Sequence, residues 1–205
     1  MMMMSLKIIA GKFKGRPIQT VASNAVRPTS GRVRQSLLDT LGAEVIQATV
    51  LDGFAGSGII GMECLSRGAS SVLAVEKEVA HFRKIQTNAT TLGLSVDAYR
   101  LVNRKLEQVL SGKNPLGKPF TLVYLDPPYS FAGWEGIMQR LLTPEWVTVG
   151  TAVLLEHGTK EPALKQWQEA CKSTRPWLVL ERELAYGDTV IAWYRVTTSF
   201  PSVLY

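Results

Sequence analysis

The chain predicts an α/β fold: a mostly parallel sheet with helices on both faces, an antiparallel C-terminal hairpin, and a small basic β-hairpin in front. Three observations predict it. From residue 49 onward, short apolar runs alternate with helical stretches, the pattern of successive β-α-β units. Val50-Leu51-Asp52 runs directly into Gly53-Phe54-Ala55-Gly56-Ser57-Gly58 and then a helical stretch. Gly56, Gly58 and Gly61 there have G-x-G-x-x-G spacing in the strand–turn–helix setting that spacing needs. Two β-rich runs flank Tyr186-Gly187-Asp188, which is a hairpin signal.

The elements follow in order. Over residues 6–21, Leu6, Ile8, Phe13, Ile18 and Val21 are interleaved with Lys and Arg, and Gly11 and Gly15 offer turns. A hairpin with one packed face and one basic face fits that pattern. Residues 22–29 read as a loop, and a helix starts near Thr29 or Ser30, either of which can cap it. Its apolar face is Val33, Leu37, Leu38 and Leu41, with Arg32 and Arg34 off that face. Strands are expected near 49–52, 71–76, 98–103, 120–125 and 151–156, with helices near 58–67, 78–92, 104–111, 131–142 and 161–170. Residues 177–184 and 188–196 form the last two strands. The implied organisation is a basic arm over 1–29, one catalytic domain over 30–196 and a loosely packed tail over 197–205.

Composition narrows the function classes. The 205 residues are 46% apolar, ordinary for a soluble domain, and no apolar run approaches the roughly 18 residues of a membrane helix. No hydrophobic leader follows Met1 to Met4, so the expected setting is the cytoplasm or an equivalent organelle stroma or matrix. Two cysteines and two histidines without metal-ligand spacing give no metal site and no disulfide framework; Cys64 reads as a small buried hydrophobe. The chain carries 23 basic and 17 acidic residues, a net charge of +6. Seven of those basic residues (Lys7, Lys12, Lys14, Arg16, Arg27, Arg32 and Arg34) precede every acid, leaving 16 against 17 beyond them. A cation cluster of that kind attracts polyanions, and Lys12, Lys14, Arg16, Arg27, Arg32 and Arg34 are the expected nucleic-acid contacts.

Two motifs carry chemistry. In the first, Asp52 ends one strand and Glu76 ends the next, Val72-Leu73-Ala74-Val75. That places two carboxylates beside a glycine turn at the carboxyl edge of a parallel sheet, where open α/β folds bind ligands. The glycines alone do not separate a nicotinamide cofactor from other adenosine cofactors. In the second, Phe120-Thr121-Leu122-Val123-Tyr124-Leu125 ends in Asp126-Pro127-Pro128-Tyr129. The prolines stop the strand and stiffen the turn. The Asp126 carboxylate and the Pro127 carbonyl can accept hydrogen bonds from a planar exocyclic amine, and Tyr129 can stack on its ring. Acceptors around an aryl amine favour the pyramidal nitrogen that forms as it attacks, which stabilises the transition state.

Together, Asp52-Gly53-Phe54-Ala55-Gly56-Ser57-Gly58 and Asp126-Pro127-Pro128-Tyr129 resemble the class I S-adenosylmethionine-dependent amino-methyltransferases. Arg27-Pro28-Thr29-Ser30-Gly31-Arg32-Val33-Arg34 and Gly61-Met62-Glu63-Cys64-Leu65-Ser66-Arg67-Gly68-Ala69 narrow the resemblance to the RsmD-type methyltransferases of small-subunit ribosomal RNA. It covers nearly the whole chain, to about residue 196. The resemblance implies a Rossmann-like fold and methyl transfer from S-adenosylmethionine to a guanine N2 amine of 16S rRNA, leaving S-adenosylhomocysteine. The expected partner is a pre-assembled 30S particle, met by a monomer. It further implies that Asp52 holds the cofactor's α-amino group and that Phe54, Ala55, Gly56, Ser57 and Gly58 form its bed. Glu76 would take the ribose hydroxyls, and Asn103 or its neighbouring backbone the adenine, because Lys105 stands where the family often has an Asn or an acid. Asp126, Pro127, Pro128 and Tyr129 would hold the guanine, and Arg27, Arg32 and Arg34 the RNA phosphates or the loop over the site. Two rivals remain: a DNA adenine-N6 methyltransferase, which should carry a target-recognition insert, and a non-enzymatic RNA-binding module on a vestigial cofactor fold.

Overall fold

The computed structural model describes residues 5–21, 31–128 and 131–198. The chain separates into two compact units, Met1–Leu106 and Glu107–Tyr205.

In the first unit, β1 (Ser5–Lys7) and β2 (Pro17–Gln19) pair antiparallel with Leu6 opposite Ile18. This is the expected hairpin. Ile8 and Ile18 are buried while Lys7, Lys12, Lys14 and Arg16 are exposed. Helix α1 (Gly31–Leu41) buries Leu37, Leu38 and Leu41 and leads through a short 3-10 turn into β3 (Thr49–Asp52). Then come α2 (Ile59–Ser66), β4 (Ser71–Val75), α3 (Val79–Thr91) and β5 (Tyr99–Val102). The strands lie in the order β5-β4-β3, both pairings parallel, with Asp52 opposite Ala74 and Val75 opposite Val102. Every residue of β3 and β4 is buried. That continuous burial is why these strands read as unbroken apolar runs, as parallel strands covered on both faces do.

The second unit begins within α4 (Leu106–Leu110). It holds β6 (Phe120–Leu125), α5 (Trp134–Leu141), β7 (Val147–Gly158), α6 (Pro162–Thr174), β8 (Leu178–Tyr186) and β9 (Thr189–Val196). β6 pairs parallel with β7, and β9 lies antiparallel between β7 and β8. The α/β class, the parallel strands and the antiparallel C-terminal hairpin are thus as expected. Trp134, Trp146, Trp167 and Trp193 are core residues, each under 5% exposed. β8 exposes Glu181, Arg182 and Glu183, charges that keep such a strand from pairing further.

Some expectations shift or fall outside the described residues. β7 starts at Val147 rather than near 151, and α6 runs to Thr174 rather than 170. The loop over 22–29, Arg27, the helix start at Thr29 or Ser30, Tyr129 and the tail beyond 198 lie outside what the structure describes. No helix among the described residues is long and apolar enough to cross a membrane.

Candidate functional site

The first unit gathers one group of expected residues at the carboxyl ends of its strands. The turn after β3 is fastened to the end of β4: Ala55 N–H donates to Val75 O at 2.9 Å, and Gly56 N–H donates to Glu76 Oε2 at 2.7 Å. Gly58 N–H closes the turn on Ala55 O at 2.7 Å, and Ile59 N–H reaches Ser57 Oγ at 3.4 Å. The three glycines do different things. A Cβ on Gly58 would sit 2.8 Å from Tyr99 Oη and 2.9 Å from Ile85 Cγ2, and one on Gly61 would sit 2.8 Å from Val72 Cγ1. Those two let α2 lie close against the strands. At Gly56, where φ is +56°, a Cβ would meet nothing nearer than 3.9 Å. The open side of the turn is therefore at Gly56, which a ligand can approach.

Glu76 is a buried, doubly engaged carboxylate. Its Oε2 accepts from Gly56 N–H and its Oε1 from Glu78 N–H, both at 2.7 Å. The second contact satisfies one of the amides at the start of α3, so the helix-capping role and a ligand role are compatible: each oxygen keeps a second lone pair. Asn103 is placed by the same loop, its Nδ2 donating to Glu76 O at 2.7 Å and to Lys77 O at 3.0 Å. Its amide hydrogens thus hold the backbone around Glu76.

Asp52 ends β3 beside the glycine turn, as expected from the sequence. It is 1% exposed and turned into the protein, where Oδ2 accepts from Gly61 N–H at 3.1 Å inside α2. It fixes the glycine turn from behind. Burial, opposed by the Gly61 hydrogen bond and aided by the Glu76 charge, pushes its pKa up to about 7 from 3.8. The linkage sign follows. Because the folded form holds the proton more tightly than the unfolded chain, this group's contribution to stability is fully present below about pH 4. It falls by about 1.4 kcal/mol for each pH unit as the pH rises toward 7, and it stays lost above that. We therefore expect Asp52→Asn, which keeps an acceptor for Gly61 N–H, to be more stable than the native chain at pH 8 and equal to it near pH 4. Urea melts across that range measure the difference, and a difference that does not change with pH would contradict it.

The second unit holds the other group. Asp126 follows β6 and is half-buried, Pro127 is buried and Pro128 exposed. Leu125 pairs with Leu155 in β7, so Asp126 leaves the end of β6 level with Glu156, which lies within β7 short of its end at Gly158. Tyr124 Oη donates to Glu156 Oε2, and both residues are buried. Glu156 is thus an acid within β7 that already has a partner. His157 Nδ1 lies 2.9 Å from Gly158 O, and Gly158 N–H donates to Glu161 Oε1 at 3.0 Å.

The basic residues divide. Lys12, Lys14, Arg16 and Arg32 are exposed. Arg34 is 2% exposed, with Nε 3.3 Å from Glu63 Oε1 and a terminal nitrogen donating to Lys7 O at 2.9 Å. It joins α1, α2 and the hairpin from within, instead of facing phosphate. Its partner Glu63, wholly buried, and Tyr99 against Gly58 were not singled out from the sequence. The signal for Glu63 was a lone acid within the apolar stretch Ile59 to Leu65. Cys64 is buried beside Asp52 and Glu63, and burial pushes its thiol above the usual range, as suits a packed, unreactive side chain.

Comparison with known proteins places the chain in a family. Residues 6–194 match the family model described as conserved hypothetical protein 95. The ribosomal RNA small subunit methyltransferase D of Haemophilus influenzae is 32% identical over 160 residues, covering 78% of this chain and 82% of that protein. The protein of the same name from Escherichia coli is 32% identical over 151 residues, 74% of each chain. Among solved structures, the candidate methyltransferase yhhF of Escherichia coli superposes with a TM-score of 0.76 at 27% identity, covering 95% of this chain and 99% of the other. The match spans both strand-end turns and the basic hairpin, and the chain belongs to the conserved hypothetical protein 95 family, that of the RsmD-type methyltransferases.

Proposed function

We propose that this protein transfers a methyl group from S-adenosylmethionine to the exocyclic N2 amine of a guanine in small-subunit ribosomal RNA. The observation that carries the reading is the Gly56–Glu76 clasp: an open glycine turn whose amide is held by a carboxylate at the end of the neighbouring parallel strand. That donor set fits an adenosine cofactor, since one carboxylate can take two ribose hydroxyls while the bare backbone of the turn lies against an extended chain. When bound, the cofactor supplies an electrophilic methyl group on a sulfonium.

The chain's own residues do the rest. Glu76 orients the ribose through its remaining lone pairs, and Asn103 keeps Glu76 in place. Asp52 acts behind the turn by holding Gly61. Asp126 and the Pro127 carbonyl receive the two amine hydrogens and turn the nitrogen lone pair outward, while Tyr129 stacks on the guanine. The cofactor would give up its methyl group to this nitrogen and keep the electrons of the carbon–sulfur bond, so no protein group need accept them. The surplus amine proton leaves afterwards, to Asp126 or to water. Alignment is the protein's main contribution, and no covalent intermediate is required.

The test is methyl transfer from labelled S-adenosylmethionine to 30S particles, naked 16S rRNA and duplex DNA, with the product nucleoside identified by mass spectrometry. We expect N2-methylguanosine in ribosomal RNA, with 30S particles the better substrate. N6-methyladenine in DNA would move the enzyme to another substrate class.

A further inference from the structure

The basic hairpin has strands of three residues each, too short to hold a fixed shape in water alone. Its attitude is set by α2 and α3, in the same compact unit. On α2, Glu63 Oε1 accepts from Ile9 N–H at 2.7 Å as well as from Arg34. Ser66, nearly buried, grips the turn three times. Its Oγ donates to Ala10 O at 2.5 Å and accepts from Phe13 N–H at 2.8 Å, and its carbonyl accepts from Lys12 N–H at 2.7 Å. On α3, Asn88 Oδ1 accepts from Gln19 N–H at 3.0 Å and Nδ2 donates to Gln19 O at 2.9 Å. One side chain there plays the part of a neighbouring strand. An Arg16 guanidinium nitrogen reaches Thr91 O at 3.0 Å. Gly11, at φ +79°, lies so close to α2 that a Cβ would fall 1.8 Å from Ser66 O.

We infer that this hairpin is a fixed RNA-gripping platform, and that Gly11, Ser66, Glu63 and Asn88 are positioning residues that hold Lys12, Lys14 and Arg16 where the RNA backbone meets them. The inference rests on the reading of the protein as an rRNA methyltransferase and adds to it a determinant of substrate geometry. A tethered arm of the same charge would attract any polyanion through counterion release alone. Cations already held in place lose less freedom on binding, so their contribution goes to one arrangement of phosphates. The buried Glu63–Arg34 pair suits that role, because a buried ion pair is weak as a source of stability and is retained where an arrangement must be specified.

A matched pair of glycine substitutions tests it without altering any charge. Gly15 has φ +81°, nearly that of Gly11, but a Cβ there meets nothing within 4 Å. Gly11→Ala and Gly15→Ala therefore carry the same backbone strain, and only the first pushes the hairpin off α2. With a fluorescein-labelled 16S rRNA fragment and with intact 30S particles, we expect Gly11→Ala in the full-length protein to weaken binding about tenfold, the effect of having to order one or two long side chains on association. We expect Gly15→Ala to bind as the native chain does, and both variants to keep native S-adenosylhomocysteine affinity by calorimetry. Asn88→Ala, which frees Gln19 from α3, repeats the test if Gly11→Ala does not fold. The triple change of Lys12, Lys14 and Arg16 to Gln completes the set. If the triple variant loses RNA affinity while Gly11→Ala and Asn88→Ala keep it, the arm is a tether and the inference is overturned. If the triple variant itself binds RNA normally, the arm is not the RNA contact at all, and the RNA reading of this surface fails with it.

Discussion

Asp126→Ala is expected to lower methyl transfer by about a hundred- to a thousandfold, the effect of deleting one preorganised group that meets developing charge in a transition state. S-adenosylhomocysteine affinity should be nearly unchanged. The reasoning starts from β6, which is buried at five of its six positions and so leaves the chain little freedom at its end. The strand delivers Asp126 half-buried, and buried Pro127 follows at once, fixing the backbone on which the carboxylate stands. An acceptor so held costs little reorganisation when the amine turns pyramidal. Asp126→Asn keeps one acceptor oxygen and loses the charge, so it should retain part of the rate that Asp126→Ala loses. Glu156, on the neighbouring strand, is bound to Tyr124, and it stays in place in both variants. Single-turnover rates on 30S particles, read beside calorimetric affinity for S-adenosylhomocysteine, separate the two effects. If the alanine variant lost cofactor affinity as heavily as rate, Asp126 would belong to the cofactor site and the assignment of roles would be wrong.

The parts of the fold legible in the sequence are those set by neighbours along the chain. The strand, the glycine turn and the helix around Gly56 are specified within a dozen residues, and β3, β4 and β6 fell where their apolar runs end. Strand-end acids could be named because a parallel strand's last residue emerges at a fixed edge. What the sequence concealed depended on distant partners. Arg34 lies next to the apolar stripe of α1 and looks solvated by period alone, yet its partner Glu63 is 29 residues away on a helix buried on nearly every side. No periodicity reports that pairing. Asp52 could be named from its strand end, but its bond to the Gly61 amide depends on how closely α2 packs where residue 61 has no side chain. The early start of β7 was hidden by exposed Thr148, Val149 and Gly150, where φ is +89° at the glycine and the register slips between Phe120 and Leu122. A bulge looks like a turn when only one strand is in view.

Glu76→Ala should weaken S-adenosylhomocysteine binding by about a hundredfold or more, since two hydrogen bonds to a charged acceptor are worth about 1.5–3 kcal/mol each. Both of its oxygens already serve the protein, at Gly56 N–H and Glu78 N–H. The alanine therefore also leaves two partly buried amides without acceptors, and the fold should lose stability by about 1–3 kcal/mol for each amide that water does not reach. Glu76→Gln separates the two effects. Its amide oxygen can still accept from Gly56 or from Glu78, though not from both, and its amide hydrogens face a backbone donor. Asn103 holds the carbonyls of Glu76 and Lys77 whichever side chain stands at 76, so the strand end itself stays in place. Adenosine should then report the ribose contact alone. If Glu76 meets the hydroxyls, the glutamine variant loses affinity for adenosine and for S-adenosylhomocysteine by the same factor, while 2′-deoxyadenosine, already lacking one hydroxyl, loses less. If instead Glu76 acts only by holding the turn, the deoxy compound and adenosine suffer equally, and the carboxylate is a brace for Gly56 and α3.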